Sequence, residues 1–214
     1  AGVVAVLVAM LSMGRGFQST MNSTGDETTA IVLRGGSQAE TNSVIMRDQI
    51  PLVSSLPGVA RDGEGKPIVS PELSQVVNLV SRADGTDVNA QFRGVGEQGW
   101  AMRDKVKIVE GRKFATGLRE IVVGQGARKQ FRDLDVGSTL NLGNQQWQVV
   151  GVFASNDVHD SEIWTDAQTL ATTYNRGAWQ SVSVRTEGKA GFEQFKAAMA
   201  ADPRLKLDVG STKA

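Results

Sequence analysis

The residues best suited to chemistry stand between Asp157 and Glu162. His159 lies between Asp157 and Asp160, with Ser161 and Glu162 following. An imidazole beside carboxylates could act as a general base or as one ligand of a zinc ion. It is the only histidine in 214 residues, and there is no cysteine. Catalytic zinc sites ordinarily draw on two or three histidines, so a metal here would rest on carboxylates. Ser161 beside His159 makes no triad, because no element around it positions an oxyanion hole. The plainer reading is a histidine in an acidic surface loop, and the sequence favours it.

Three other stretches resemble ligand-binding motifs. Gly94-Val-Gly-Glu-Gln-Gly99 matches GxGxxG, but a dinucleotide site needs a long helix after the glycines and an acidic residue about 20 positions on. Here Ala101-Met-Arg-Asp-Lys105 leads at once into an apolar run at Val106, so a glycine-rich turn is expected. Gly124-Gln-Gly126, with Arg128 and Lys129, opens a helix that could hold an anion at its N-terminus. The spacing is not that of a phosphate-binding loop, and a strand-to-helix turn with solvated cations accounts for it equally. Arg112 could hold a ligand carboxylate. It is expected instead to pair with a neighbouring carboxylate, while Gly111 permits a turn. No catalytic, cofactor-binding or metal-binding residue is therefore assigned.

Composition narrows the classes further. Lys plus Arg and Asp plus Glu both number 23, for a formal net charge of zero. Broad electrostatic capture of nucleic acid or of an anionic membrane is not expected. The lack of cysteine excludes disulfides, thiolate nucleophiles and Cys-ligated zinc, and suits an oxidising compartment. Hydrophobic residues make up 40% of the chain, enough for a real core.

The elements that must position these residues follow a rhythm. The chain opens in an uncharged apolar run, Ala1 to Met13, apolar on all sides rather than on one face. As a helix it would be about 20 Å long, short of the roughly 30 Å bilayer core. It reads either as a buried core helix or as the outer end of a transmembrane helix; the abrupt turn to polar residues from Gly14 to Thr24 favours the second. Thr28–Arg34 reads as a strand. A helix capped by Thr41 or Asn42 should follow, with Val44, Ile45, Ile50 and Leu52–Val53 on its apolar face and a kink or stop at Pro51. Pro67-Ile68-Val69 is extended, completing a β-α-β unit.

A β-rich stretch comes next. Leu73–Val80 and Val88–Phe92 flank an Asp84-Gly85 turn, and Glu120–Gly124 leads into a short helix over Gln125–Phe131. Leu140–Leu142 and Trp147–Phe153 flank Gly143-Asn144, a tight-turn signal. Asp166 should cap a helix over Ala167–Tyr174. The tail then repeats the first rhythm: a strand at Trp179–Arg185, an amphipathic helix at Gly188–Met199 and a strand at Leu205–Val209. Trp147 is expected in the core. Trp100 and Trp179 read equally as interface residues or as partly buried indoles.

The expected fold is α+β. It is a split β-α-β / β-α-β ferredoxin-like sheet from residues 24–71 and 178–214, interrupted by a β-rich insert over 72–177, with residues 1–23 as transmembrane end and stalk.

Several residues in order carry a family resemblance. They are Glu110-Gly111-Arg112-x-Phe114-x-x-Gly117, Glu120-Ile-Val-Val-Gly124, Phe131-x-x-Leu134-x-Val136-Gly137, Trp147-x-Val149-Val150-Gly151-x-Phe153 and Ser161-Glu162-Ile163-Trp164. Together they resemble the extracytoplasmic core domain of MacB-type, FtsX-like ABC transporter permeases, over essentially the whole chain. The resemblance implies a porter-like subdomain with an inserted Sabre-like subdomain, anchored in the bacterial inner membrane and facing the periplasm. It implies no catalysis and no cofactor in this domain. It implies a dimeric permease, a partner ABC ATPase, and a periplasmic adaptor or substrate protein, with ATP-driven motion relayed to efflux or extrusion. Two other classes stay open: a membrane-anchored sensor or small-ligand-binding domain using Arg112 or the Gly124 turn, and a hydrolase using the acids around His159.

Overall fold

The computed structural model describes residues 25–213. The apolar run and stalk expected before Gly25 lie outside the described residues. Among the described residues, no helix is long and apolar enough to cross a membrane.

The chain begins with β1 (Gly25–Arg34), β2 (Ile45–Met46), α1 (Gln49–Ser55) and β3 (Val69–Val80). The insert supplies β4 (Asp87–Val95), β5 (Lys107–Gly111), β6 (Glu120–Gly124), α2 (Gln125–Gln130), β7 (Thr139–Leu142), β8 (Gln145–Ala154), β9 (Ile163–Asp166) and α3 (Ala167–Thr173). The chain closes with β10 (Ala178–Trp179), β11 (Ser181–Arg185), α4 (Gly188–Ala201) and β12 (Leu207–Lys213).

Ten strands form one sheet in the order β12-β1-β11-β3-β4-β9-β6-β8-β5, with β7 on β8, while β10 and β2 make a separate ladder. The first four strands are antiparallel neighbours. Counted along the chain, their order is fourth, first, third, second, which is the split β-α-β arrangement. β3 then changes partner. Val69–Glu72 pair with β11, and Leu73–Val80 pair with β4. One uninterrupted strand therefore belongs to both the ferredoxin-like sheet and the insert.

The expected helix from Thr41 through Val53 is not a single element. A 3-10 turn at Glu40–Asn42 comes first, then β2, and only then α1. The buried Ile45 is taken into a ladder with Trp179, a long-range pairing that local propensity does not reveal. Pro51 neither kinks nor ends the helix. It sits in the first turn of α1, where its missing N–H leaves no bond unmade. The strand expected from Trp179 to Arg185 is split at Gln180, whose N–H bonds to the Glu72 carbonyl and whose side chain accepts from Ser74 N.

The expected hairpin closes as β7 and β8, with Leu140 opposite Trp147. Gly143 and Asn144 both have positive φ, as a primed two-residue turn requires. Trp147 is wholly buried and donates its indole N–H to the Leu142 carbonyl at 3.0 Å. One apolar core runs from Ala30, Val182 and Phe195 through Leu73 and Phe92 to Trp147 and Leu170. A second, of Val95, Phe114, Val122, Val150, Phe153 and Trp164, contacts Trp100, Val106 and Ile108. β6 is buried along its whole length.

Gly111 and Gly117 separate two costs of a side chain. Both have positive φ, but a Cβ at Gly111 would stand 2.2 Å from the Val150 carbonyl oxygen, whereas at Gly117 it would meet nothing within 4 Å. Gly117→Ala should cost about 1 kcal/mol, the left-handed backbone penalty alone. Gly111→Ala should cost clearly more, about 3 kcal/mol or above, since a backbone clash adds to the strain. Urea denaturation of the two variants checks this; equal losses would contradict it.

Candidate functional site

The polar centre of the molecule is a set of buried charges where the ferredoxin-like sheet meets the insert. Arg93 stands in β4, which runs parallel to β9 with Arg93 opposite Trp164. That register sets its guanidinium beside Glu162, at 2.9 Å from Nε to Oε2 and 3.1 Å from Nη2 to Oε1. Nη1 reaches Glu40 Oε1 at 2.8 Å and lies 3.5 Å from Glu72 Oε2. Glu72, at the point where β3 changes partner, also takes Arg103 Nη2 on both oxygens at 2.8 Å. Ser70 donates to Glu72 at 2.9 Å, and Ser181 donates to Glu40. Trp164 Nε1 donates to Glu162 Oε2 at 2.7 Å, and His159 Nδ1 stands 3.1 Å from the same oxygen.

Each part of the chain contributes. Glu40 follows β1, Ser181 begins β11, Glu72 is in β3, and Arg93, Arg103 and Glu162 belong to the insert. Arg93 is only 9% exposed and Glu72 1%. Burial alone would raise the Glu72 carboxyl, but the charges of Arg103 and Arg93 outweigh it and hold it below the usual carboxylate range. Burial likewise works against Glu162. The His159 hydrogen bond and the Arg93 charge and hydrogen bonds outweigh it, and bring that carboxyl down to about 2. Arg93 is held as a cation by the carboxylates of Glu40 and Glu162 despite its burial.

A second tie supports the clasp. Arg185 of β11 donates to the Ala101 carbonyl at 3.0 Å and lies 3.4 Å from Asp104. The same segment carries Trp100, packed against Trp164 and Phe114 at centroid distances of 5.4 and 5.5 Å. The Trp100 indole N–H is buried with no hydrogen-bond partner among the described residues.

The stretches that resembled ligand sites serve packing. Gly94 admits Ala167, whose Cα a Cβ would approach to 2.8 Å, and Gly99 lies against Val95; in place of a long helix there is a three-residue 3-10 turn, Glu97–Gly99, which ends on the last of the glycines. At Gly124 and Gly126 a Cβ would meet the Asp160 carbonyl oxygen at 2.2 and 2.9 Å. The place an anion would take above that turn is filled by backbone. Arg112 forms a two-point pair with Glu120, at 2.7 and 2.6 Å. That pairing holds the Glu120 carboxyl below its ordinary range.

Asp157 and Asp160 bond mainly to their own loop: Asp157 Oδ1 accepts from His159 N, and Asp160 accepts from Ser155 N and Asn156 N. Among the described residues, no three His, Asp or Glu side chains are grouped to hold a metal ion. Trp179 is buried beneath the Arg47 guanidinium, 4.5 Å from the ring centroid, rather than offered to a partner. Trp100 is half-buried.

Sequence reasoning did not single out Arg93, Glu72, Glu40 or Arg103. One signal was available: Arg93 is the only charge between Ala90 and Gly96, inside a run that is otherwise almost wholly buried. A charge in such a run calls for a buried counter-charge.

The fold defines a mixed α+β domain, a split β-α-β sheet enlarged by a β-rich insert on a shared strand. The family model of MacB-like periplasmic core domains matches residues 2–202. The chain belongs to that family, and is the periplasmic domain of a MacB-like ABC transporter permease. Solved structures share the fold at low identity. The periplasmic region of MacB from Actinobacillus actinomycetemcomitans is 14% identical with a TM-score of 0.64, over 87% of this chain and 90% of that one. The extracellular domain of the noncanonic ABC-type transporter YknZ from Gram-positive bacteria is 19% identical with a TM-score of 0.59, over 85% and 98%. A domain of a putative permease protein from Porphyromonas gingivalis is 13% identical with a TM-score of 0.52, over 88% and 90%. No curated protein sequence matches the chain.

Two outcomes test the clasp. Arg93→Met removes the cation and leaves Glu40 and Glu162 facing each other, so it should cost about 3–5 kcal/mol in chemical denaturation. Stability should also fall in acid. The Glu162 carboxyl is depressed in the folded state, so its contribution is full above its ordinary value of 4.5 and is lost as pH falls from there toward about 2. Melting temperatures at pH 3 and pH 7 measure this, and Glu162→Gln should flatten the slope. An Arg93→Met chain as stable as the parent would contradict the assignment.

Proposed function

We propose that this domain is a non-catalytic relay, coupling ATP-driven motion of transmembrane helices to substrate efflux or extrusion, or to a periplasmic partner. The observation that carries the proposal is the pairing of Gly25 with Lys213. The two ends of the described chain lie side by side on β12 and β1, the edge strand of the ferredoxin-like sheet and its inner neighbour. Gly25 meets Lys213 beyond a register shift that ends at Ala30, and the ladder with β11 begins at Thr29. A displacement entering on this ribbon reaches the core sheet directly, then the insert through β3, with the Arg93 clasp resisting rotation at the junction.

In this reading residues 1–23 are the end of a first transmembrane helix and its stalk. Residues 24–71 and 178–214 form the porter-like part, and 72–177 the Sabre-like part. The permease works as a dimer in the bacterial inner membrane, with an ABC ATPase on the cytoplasmic side and an adaptor or substrate protein in the periplasm. The sensor reading loses its two candidate ligand holders, since Arg112 faces Glu120 and the Gly124 turn is filled by the Asp160 backbone.

The ribbon can be locked. These 214 residues hold no cysteine, so in a transporter whose cysteines elsewhere are replaced, Gly25→Cys with Lys213→Cys gives one possible disulfide within the domain. In the full transporter, reconstituted with its ATPase, the oxidised lock should leave ATP hydrolysis and transport at the level of the reduced protein, because the two strands move as one. Transport that is lost on oxidation and restored by reductant would overturn the relay as described, since the strands would then have to part in each cycle.

A further inference from the structure

We propose that residues 96–106, between β4 and β5, form a strap that couples the insert to the end of the domain where β1 begins, and that Arg185 is the residue that positions it. The inference rests on the relay reading above and adds a second route to it. The first route, along β3, enters the insert where that strand changes partner, beside the pairing of Glu72 with Ser181. Ser181 and Arg185 are the two ends of β11, and Arg185 stands opposite Thr29, where the β1 ladder with β11 begins. The β3 crossing is therefore at the far end of β11 from the ribbon of Gly25 and Lys213. A hinge needs only a few residues at the end of an element to absorb the change in backbone angles, and a single crossing strand offers such a place. A second hold at the other end of β11 removes it.

The strap is seated in the insert on one side and tied to the ferredoxin-like part on the other. Trp100 packs on Trp164 and Phe114, and Met102 is buried. The glycines of the motif bring the strap down onto β3. Gly96 N donates to Ser70 Oγ at 2.9 Å, and a Cβ at Gly99 would stand 2.8 Å from that same oxygen. Three ties then run to the end where β1 begins. Lys66 Nζ is 2.8 Å from Glu97 Oε2, Gln98 Nε2 donates to Asp62 Oδ2 at 3.2 Å, and Arg185 Nη2 donates to the Ala101 carbonyl at 3.0 Å. Arg185 also reaches Asp104 with Nη2 and Thr28 Oγ1 with Nη1, both at 3.4 Å. Its own backbone is fixed, donating to the Ile68 carbonyl and accepting from Ala60 N. One side chain thus touches the start of β1 and the strap together.

The three ties are unequal. The Lys66 and Glu97 side chains are 50% and 65% exposed, and a pair so open to water contributes little. The Arg185 side chain is only 18% exposed, and its bond to a carbonyl is charge-assisted. Arg185 is therefore the tie that positions the strap. Its planar fork holds Thr28 and Ala101 at once, which the single ammonium of lysine does less well.

Amide hydrogen exchange tests the strap. The N–H groups of Gly99, Ala101, Arg103 and Val106 bond within it, so their exchange reports its opening. In the assembled transporter at rest, Arg185→Gln should speed exchange at these amides by about tenfold, the loss of one charge-assisted bond, and leave the ladders of β11 with β1 and β3 unchanged. Arg185→Lys should give a smaller rise at the same amides. Exchange that does not change in the strap, or that rises evenly through the ladders as well, would overturn the proposal. Turnover then separates coupling from packing. During ATP hydrolysis the parent strap should exchange as it does at rest, whereas in Arg185→Gln it should exchange faster still, because the insert now lags behind the end where β1 begins. An equal rise in Arg185→Gln with and without hydrolysis would leave Arg185 a packing residue only and overturn the coupling. Parent exchange that itself changes with hydrolysis would count against the one-body relay, and the comparison at rest would still decide the tie.

Discussion

A guanidinium removed from water must be met by charge, and much of this molecule is arranged around that need at Arg93. Desolvating such an ion costs several kcal/mol even after relaxation. Glu162 is close at hand in the neighbouring strand, but Glu40 and Glu72 come from another part of the chain. Arg93 is satisfied only when the insert sits on the ferredoxin-like sheet in one orientation. An apolar contact of equal area would hold the two parts together with less regard to angle, because apolar burial is non-directional. The clasp thus contributes specificity of docking more than net stability.

Two other features act with it. β3 carries the backbone ladder from one sheet into the other, so the parts cannot separate without breaking a strand. The segment between β4 and β5 then lies across the junction, bound to Glu72 through Arg103 and to Arg185 through the Ala101 carbonyl. A shared strand fixes translation, and charge pairs set off the strand axis resist twist. With both ends of the described chain on one ribbon, the architecture favours motion of the domain as one body.

Much of the insert was legible in the sequence because its signals are local. Gly143-Asn144 between alternating runs, Asp166 before an apolar helix, and the β-branched Glu120–Gly124 run each name their element without help from distant residues. The split β-α-β plan was legible as a repeated rhythm at the two ends. What escaped was non-local. Ile45 belongs to a ladder with Trp179, about 130 residues away along the chain, so a helical pattern yields there to tertiary pairing. The clasp escaped for the same reason: Glu40, Glu72, Arg93 and Glu162 have no sequence spacing in common, and only the sheet order brings them together. The motif-like glycines misled in the opposite sense, since close backbone approach by Asp160 or Ala167 demands glycine as firmly as a phosphate would.

The most direct test of the central claim is a distance across the junction during turnover. Lys129 on α2, in the insert, and Lys196 on α4, in the ferredoxin-like part, are exposed, and both can be spin-labelled as Lys129→Cys and Lys196→Cys in a transporter whose other cysteines, none of them in these 214 residues, are replaced. Pulsed electron spin resonance on the assembled transporter, with labelled permease diluted into unlabelled permease so that distances between copies drop out, should give one narrow distance, the same without nucleotide and with ATP trapped. Adding Arg93→Met should broaden it. A distance that shifts between the two nucleotide states in the otherwise native protein would show the parts moving against each other, and the one-body relay would be wrong.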